Sequence, residues 1–308
     1  MMMAYEVIGH WPAGDPRWHT ARSRGIGASE IAAVLGESPF QSALELWSVK
    51  TGAIPQRDLS GVEAVEWGHR LEPVIIDAYR DRTGRTARAD GRTLRSLEHQ
   101  WALCTLDGWT AGDSGDEHPL EIKAVGLARS EEWEEGPPEH YRLQLQHQML
   151  VTGARVATIA ALIGGQRLVW CDVERDETTI RKIAHQGERF WRLVESRTPP
   201  EVDGSESSRR ALAALYPTDD GETIVLDGGA IDAFDELEEI ARLEKELEGR
   251  KRLAENTVKA ALGNATRGVL MNGAEFTWKT QSMPERVLAA SSYRVLRRKA
   301  PKKERKVA

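Results

Sequence analysis

Leu106-Asp107-Gly108 and, after residues 109–119, Leu120-Glu121-Ile122-Lys123-Ala124-Val125 are the stretch whose pattern decides the fold. Side chains alternate faces along a strand, so on 119–125 Glu121 and Lys123 share one face while Leu120, Ile122 and Ala124 point to the core. A carboxylate and an ammonium at that spacing suit an ordinary edge-strand ion pair as well as a reactive site. The preceding strand, Trp101–Asp107, ends in a second carboxylate at a glycine turn, and the loop Trp109–His118 is long enough to return Glu121 to its side. Two carboxylates converging beside a lysine suit a hard cation, because magnesium takes oxygen ligands, few of them from protein, and keeps several waters.

Outward from this hairpin, helix-like and strand-like segments alternate. Ser29–Leu35, Ala43–Thr51 and Gly61–Arg82 read as helices stopped by Gly36, Gly52 and Gly84. Helices follow at Glu139–Val151 and Thr178–Val194, with strands Arg155–Ile163 and Arg167–Val173 around Gly164-Gly165. Helices flanking a short mixed sheet make an α/β (α+β) core. On the helix 61–82, Glu72 shares the apolar face with Val65, Gly68, Ile75, Ile76 and Tyr79. A charge facing inward needs a partner; Arg70 or Arg80 could supply a salt bridge, and a metal or a water could replace them.

Composition narrows the classes. The 308 residues are 40% hydrophobic and 29% charged, which argues against global disorder. No apolar run reaches membrane length, and the first residues lack a secretory pattern. Cys104 and Cys171 build neither a disulfide framework nor a four-cysteine metal site, so a reducing cytoplasm is expected. The histidines show no HExxH spacing, and GIGASE lacks the Gly-Lys-Ser/Thr of a phosphate loop. His118 precedes the 119–125 strand and is read as solvated or as a neighbour of the metal site. Net charge is −6, yet Arg294–Ala308 carries eight Lys and Arg against Glu304. That basic tail is a solvated end or a DNA contact.

Five blocks in order carry a resemblance. They are Trp18-His19 with Arg22; Gly27-Ala28-Ser29-Glu30-Ile31; Gly68-His69-Arg70-Leu71-Glu72-Pro73; Asp107 and Glu121-Ile122-Lys123; and Tyr141 through Met149. Over about residues 15–195 the chain resembles the PD-(D/E)XK nuclease superfamily, and more narrowly the YqaJ-type viral recombinases and lambda-type phage exonucleases. Leu106 stands where the superfamily name has proline. The resemblance implies a restriction-endonuclease-like core and a metal-dependent 5′→3′ exonuclease on double-stranded DNA ends that leaves a 3′ single strand. It implies Asp107, Glu121, the Ile122 carbonyl and Glu72 as ligands of Mg2+, with two ions bound and Mn2+ accepted. Lys123 would orient the attacking water, with Gln144 beside it. Arg22 and Ser29 would grip the terminal 5′ phosphate, though Arg24 is an alternative and Ser29 could simply cap a helix. The resemblance further implies a single-strand annealing protein as partner, a ring-shaped trimer and, for a phage-encoded chain, the host cytoplasm. The competing readings are a structure- or site-specific endonuclease on the same core and an inactive DNA-binding or partner-recruiting protein.

Domain organisation is expected as a core over 1–197, a Pro/Gly/Ser/Asp-rich linker over 198–229, and a C-terminal region over 230–308. The last holds an amphipathic helix Ile231–Leu262, a hairpin around Asn272-Gly273 and the basic tail. The long helix either packs as an arm on its own core or mediates oligomerisation.

Overall fold

Asp107 sits where the chain passes from one β-sheet into another. The computed structural model describes residues 4–11, 15–59, 61–112, 115–226 and 228–283; the basic tail lies outside them. In chain order the first elements are β1 (Tyr5–His10), α1 (Pro16–Arg22), β2 (Ile26–Gly27), a 3-10 turn Ala28–Glu30, α2 (Ile31–Val34), α3 (Ala43–Lys50) and α4 (Glu63–Thr83). Strands β3 (Ala87–Ala89), β4 (Arg92–Ser96), β5 (Ala102–Thr105), β6 (Gly108–Ala111) and β7 (Glu117–Val125) follow. Then come α5 (Glu139–Thr152), β8 (Val156–Ile163), β9 (Arg167–Glu174), α6 (Glu177–Glu195) and α7 (Glu206–Leu215). The chain continues through α8 (Gly229–Leu262), β10 (Arg267–Val269) and β11 (Glu275–Thr277). The described residues up to Tyr216 form one compact unit and those from Pro217 onward a second.

The fold class is α/β with two mixed sheets, β1-β4-β5-β2 and β3-β6-β7-β8-β9, flanked by helices. The β7–β8 pair is parallel and its connection runs through α5, as a parallel pair requires. Gly164 and Gly165, both at positive φ, close the β8–β9 hairpin as read from sequence.

Three expectations change. Gly108 makes no turn. It begins β6, which together with the start of β7 takes up half of the expected loop 109–118 and pairs with β7 in the register Gly108↔Leu120. The glycine serves close approach instead, since a Cβ there would stand 2.6 Å from the Arg88 carbonyl oxygen. Second, β7 is the central strand of five, not an edge. Its Leu120 and Ile122 meet Ile75, Ile76 and Tyr79 of α4, whereas Ala124 is exposed. Third, the 198–229 stretch is only partly a connector. Ser205 caps α7 by accepting from Ser208 N–H at 3.1 Å, and α7 packs on the core through Ser207, Ser208 and Ala211. Its Ser207 hydroxyl accepts from Ser42 N–H at 2.7 Å. Two small residues and one serine hydroxyl bury this helix, so it lacks the large-residue periodicity that marks a helix in sequence.

α5 lies between the sheets, against β4 and β5 on one side and β7 and β8 on the other. Leu143 to Val151 are buried without interruption, including Gln144, Gln146, His147 and Gln148. Buried polar groups mostly find partners, and each of these makes at least one bond: Gln146 Nε2 donates to Glu174 O at 2.8 Å and His147 Nε2 bonds Leu103 O at 3.1 Å, while His147 Nδ1 and Gln148 Oε1 are left without a partner among the described residues. Gln144 and Gln148 serve the site described below.

Trp101 packs flat on α6 at Gly187, where an added Cβ would lie 2.1 Å from the indole. In an exposed helix, Gly→Ala stabilises by about 1 kcal/mol. Here overpacking reverses the sign, and Gly187→Ala is expected to cost roughly 1–3 kcal/mol. Urea unfolding checks it, and an increase in the midpoint would show that Trp101 yields freely.

Candidate active site

Register brings the two carboxylates together. Because Gly108 pairs with Leu120, Asp107 falls beside Glu121, and its Oδ2 accepts from the Ile122 N–H at 2.8 Å. Glu121 faces away from α4 toward α5 and is 2% exposed. Both of its oxygens are held: Gln144 Nε2 donates to Oε1 at 2.6 Å and Gln148 Nε2 to Oε2 at 2.5 Å. Lys123 Nζ also ion-pairs with Oε1 and lies 5.0 Å from the Tyr141 ring centroid. A carboxylate with a salt bridge and two amide donors can stay buried and charged.

The electrostatics follow from crowding. Burial pushes the Asp107 carboxyl well above the usual aspartate range; the Glu121 charge adds to the rise, Lys123 opposes it and Glu72 contributes further. Burial alone would neutralise Lys123, but Glu121 and Asp107 hold its pKa above the ordinary lysine value. Lys123 thus keeps its charge beside those acids and donates to Glu121.

Glu72 borders this group without closing on it. Its pKa is raised by burial, with His69 and Lys123 lowering it and Glu121 raising it. The salt bridges offered by sequence do not form, because Arg70 pairs with Glu66 at 2.6 Å and Arg80 pairs with Asp77. Among the described residues, no three His, Cys, Asp or Glu side chains gather as a metal-binding set. The donor chemistry still fits a hard divalent ion: two adjacent acids, one backbone carbonyl, and only one ammonium to offset the acids in a dry setting.

A protein named YqaJ from Bacillus subtilis (strain 168) is 31% identical over 267 residues, covering 85% of this chain and 82% of its own length. The chain belongs to the YqaJ family. The model of the YqaJ-like viral recombinase domain matches residues 17–155, a span that holds Arg22, Ser29, Glu72, Asp107, Glu121, Lys123 and Gln144. Among solved structures, LHK-Exo in complex with dAMP is 22% identical, with a TM-score of 0.49, covering 65% of this chain and 99% of that one. LHK-Exo is an alkaline exonuclease from Laribacter hongkongensis. A phage-related exonuclease from Haemophilus somnus 129PT is 12% identical, with a TM-score of 0.42 and 58% and 99% coverage. The core of this YqaJ-family chain is defined by its own strand order and site, since both likenesses lie below a TM-score of 0.5.

In this YqaJ-family chain Arg22 and Ser29 also meet: Arg22 Nη2 donates to Ser29 Oγ at 3.2 Å. The helix expected from Ser29 is instead one 3-10 turn followed by the four residues of α2. Ser29 is no cap; Glu30 takes that task, its Oε2 accepting from Gly27 N–H at 2.7 Å. Glu30 also pairs with Arg22 at 2.9 Å and with Lys50 at 2.8 Å. Burial would raise Glu30, but Lys50 and then Arg22 hold its pKa at about 2. Two cations and one anion leave this cluster one positive charge.

Sequence reading missed the pairing of Glu30 with Lys50. Gln148 was visible on a shared helical face with Tyr141 and Gln144, whereas the Glu30–Lys50 pair joins separate elements with no local signal. His118 belongs elsewhere. It is buried on the α4 face of β7, and its Nε2 bonds Thr158 Oγ1 at 2.9 Å.

Proposed function

We propose that this protein is a divalent-metal-dependent deoxyribonuclease that degrades double-stranded DNA from 5′-phosphorylated ends, 5′→3′, leaving a 3′ single strand for recombination. The observation that carries the reading is the Glu121 cluster: one buried carboxylate gripped by Lys123, Gln144 and Gln148 beside Asp107. Asp107, Glu121 and the Ile122 carbonyl would hold the ion or ions, Mg2+ or Mn2+, with Glu72 bordering them through water. Bound there, a divalent ion supplies Lewis-acid polarisation of the scissile phosphate. Lys123, held as an ammonium, donates to the attacking water and offsets the negative charge that grows on phosphate oxygens in the transition state. Gln144 and Gln148 keep the Glu121 oxygens aimed without adding charge.

End preference is supported by adjacency. Arg22, Gly27, Ala28, Ser29 and Gln144 line one small cleft, so a phosphate gripped by Arg22 and Ser29 would lie next to a residue that also holds Glu121. A terminal phosphate there would put the first internal phosphodiester near the acids. The annealing protein, the ring-shaped trimer and the host cytoplasm join this reading as the resemblance implies them. Among the described residues, no helix is long and apolar enough to cross a membrane.

The test uses linear duplexes labelled at either end, with 5′ phosphate or hydroxyl, in Mg2+ or in EDTA, beside a closed circle. Release from 5′-phosphorylated ends in Mg2+ alone is expected, with the circle intact. Cleavage of the circle would make the enzyme an endonuclease, and degradation in EDTA would remove the metal role. Arg22→Ala should lower the rate ratio of phosphate to hydroxyl ends by roughly tenfold or more, the worth of a charge-assisted phosphate contact.

A further inference from the structure

The second unit contains a long helix with a row of exposed apolar side chains. α8 runs for 34 residues, and none of them is buried. Leu237, Ile240, Leu243 and Leu247 are between 39% and 57% exposed. Ile240, Leu243, Leu247, Ala254 and Ala261 alternate at spacings of three and four over the first three and then seven, the seam of a two-stranded coiled coil. Arg250 and, seven residues on, Thr257 interrupt that seam. Leu237, Glu244, Lys251 and Val258 flank it, each seven residues after the last.

Charge along α8 is divided. Residues 229–246 hold seven carboxylates against two bases, and residues 247–262 hold four bases against two carboxylates. Glu244 has no ion partner among the described residues, and Lys251 reaches Glu255 only at 4.0 Å.

We propose that α8 pairs with α8 of a second copy of this chain, and that the two helices run antiparallel. A parallel pair would stack Arg250 on Arg250 and the acidic half on the acidic half, both repulsive. Reversing one helix sets each acidic half along a basic half. It places Arg250 level with Leu247 of the second copy, Glu244 beside Lys251, and Leu237 beside Val258. The flanking residues then match at both ends, because the contact is twofold and each pair occurs twice. This pairing is independent of the hydrolytic reading, and it doubles the copy number whether the nuclease unit is otherwise single or assembled in a ring.

Light scattering on the full chain, compared with the Leu243→Glu, Leu247→Glu double variant, tests it. The variant should have half the copy number of the parent, with DNA-end degradation per chain unchanged. Equal masses would overturn the proposal; equal masses with a lower melting temperature would show that α8 covers its own chain instead. Orientation is read in a Cys171→Ser background. A mixture of Glu244→Cys and Lys251→Cys chains should cross-link between copies under mild oxidation, while neither does so alone. Leu243→Cys, on the seam itself, should not cross-link to its own counterpart; if it did, that would establish the parallel pair and overturn the antiparallel one.

Discussion

Lys123→Ala is expected to lower metal-dependent degradation of DNA ends by about 10³-fold or more, with duplex binding largely retained. Loss of a preorganised donor aimed at developing charge costs on the order of 10²–10³ in rate. Here the same ammonium also balances Glu121 and Asp107, so its removal disturbs the acids as well. Initial rates on a 5′-phosphorylated duplex, paired with binding measured in EDTA, separate the two effects. Unchanged rates would remove Lys123 from the mechanism. Equal losses of binding and rate would make it a DNA contact only. Lys123→Arg should recover little, because a planar guanidinium cannot take the compact place of the ammonium between Glu121 and Tyr141.

Glu30→Ala is expected to destabilise the first unit by roughly 3–5 kcal/mol, the usual cost of stranding a buried charge. The Lys50 side chain is 3% exposed and Glu30 is its acidic partner. The variant also strips the Gly27 N–H of its acceptor and frees Arg22. Denaturant unfolding reads the loss, and a midpoint within error of the parent would show that Lys50 reaches water or another acid. The same carboxyl makes stability depend on pH. Its folded pKa of about 2 lies below the reference value of 4.5. Its contribution is therefore complete above pH 4.5 and disappears as pH falls through 2. Glu30→Gln should flatten the acid limb of the stability curve by about 3 kcal/mol between those limits. A parent-like acid limb in that variant would deny Glu30 this role.

Local signals were read correctly where the physics is local. Gly52 and Gly84, both at positive φ, lie where α3 and α4 end. The alternation on β7 put Glu121 and Lys123 on one face, and their ion pair forms. The reading failed where burial comes from a distant segment. Alternation assumes one wet face, but β7 is covered by α4 on one side and α5 on the other, so Glu121 is as buried as the core leucines. The glycine after Asp107 looked like a turn because its true constraint, the Arg88 carbonyl, lies on another strand. Glu72 was read as one of a set; the fold leaves it at the border.

From sequence alone came the order of α3, α4, β5, β7, α5, β8, β9 and α6, the pairing of Asp107 with Glu121-Ile122-Lys123, and the family resemblance, while β1, α1, β3, β4, β6 and α7 went unread. The first follows from periodicity, the second from residue types that few other chemistries need, and the third from five motif blocks in order. Only the tertiary structure decided that Asp107 joins two sheets and that a buried α5 supplies two glutamines to one carboxylate. It alone tied Arg22 to Glu30 and Lys50. The reason is that a buried polar group takes its partners from whatever the packed chain brings within hydrogen-bond reach, and for Glu121, Glu30 and Lys50 those partners arrive from separate elements of the fold.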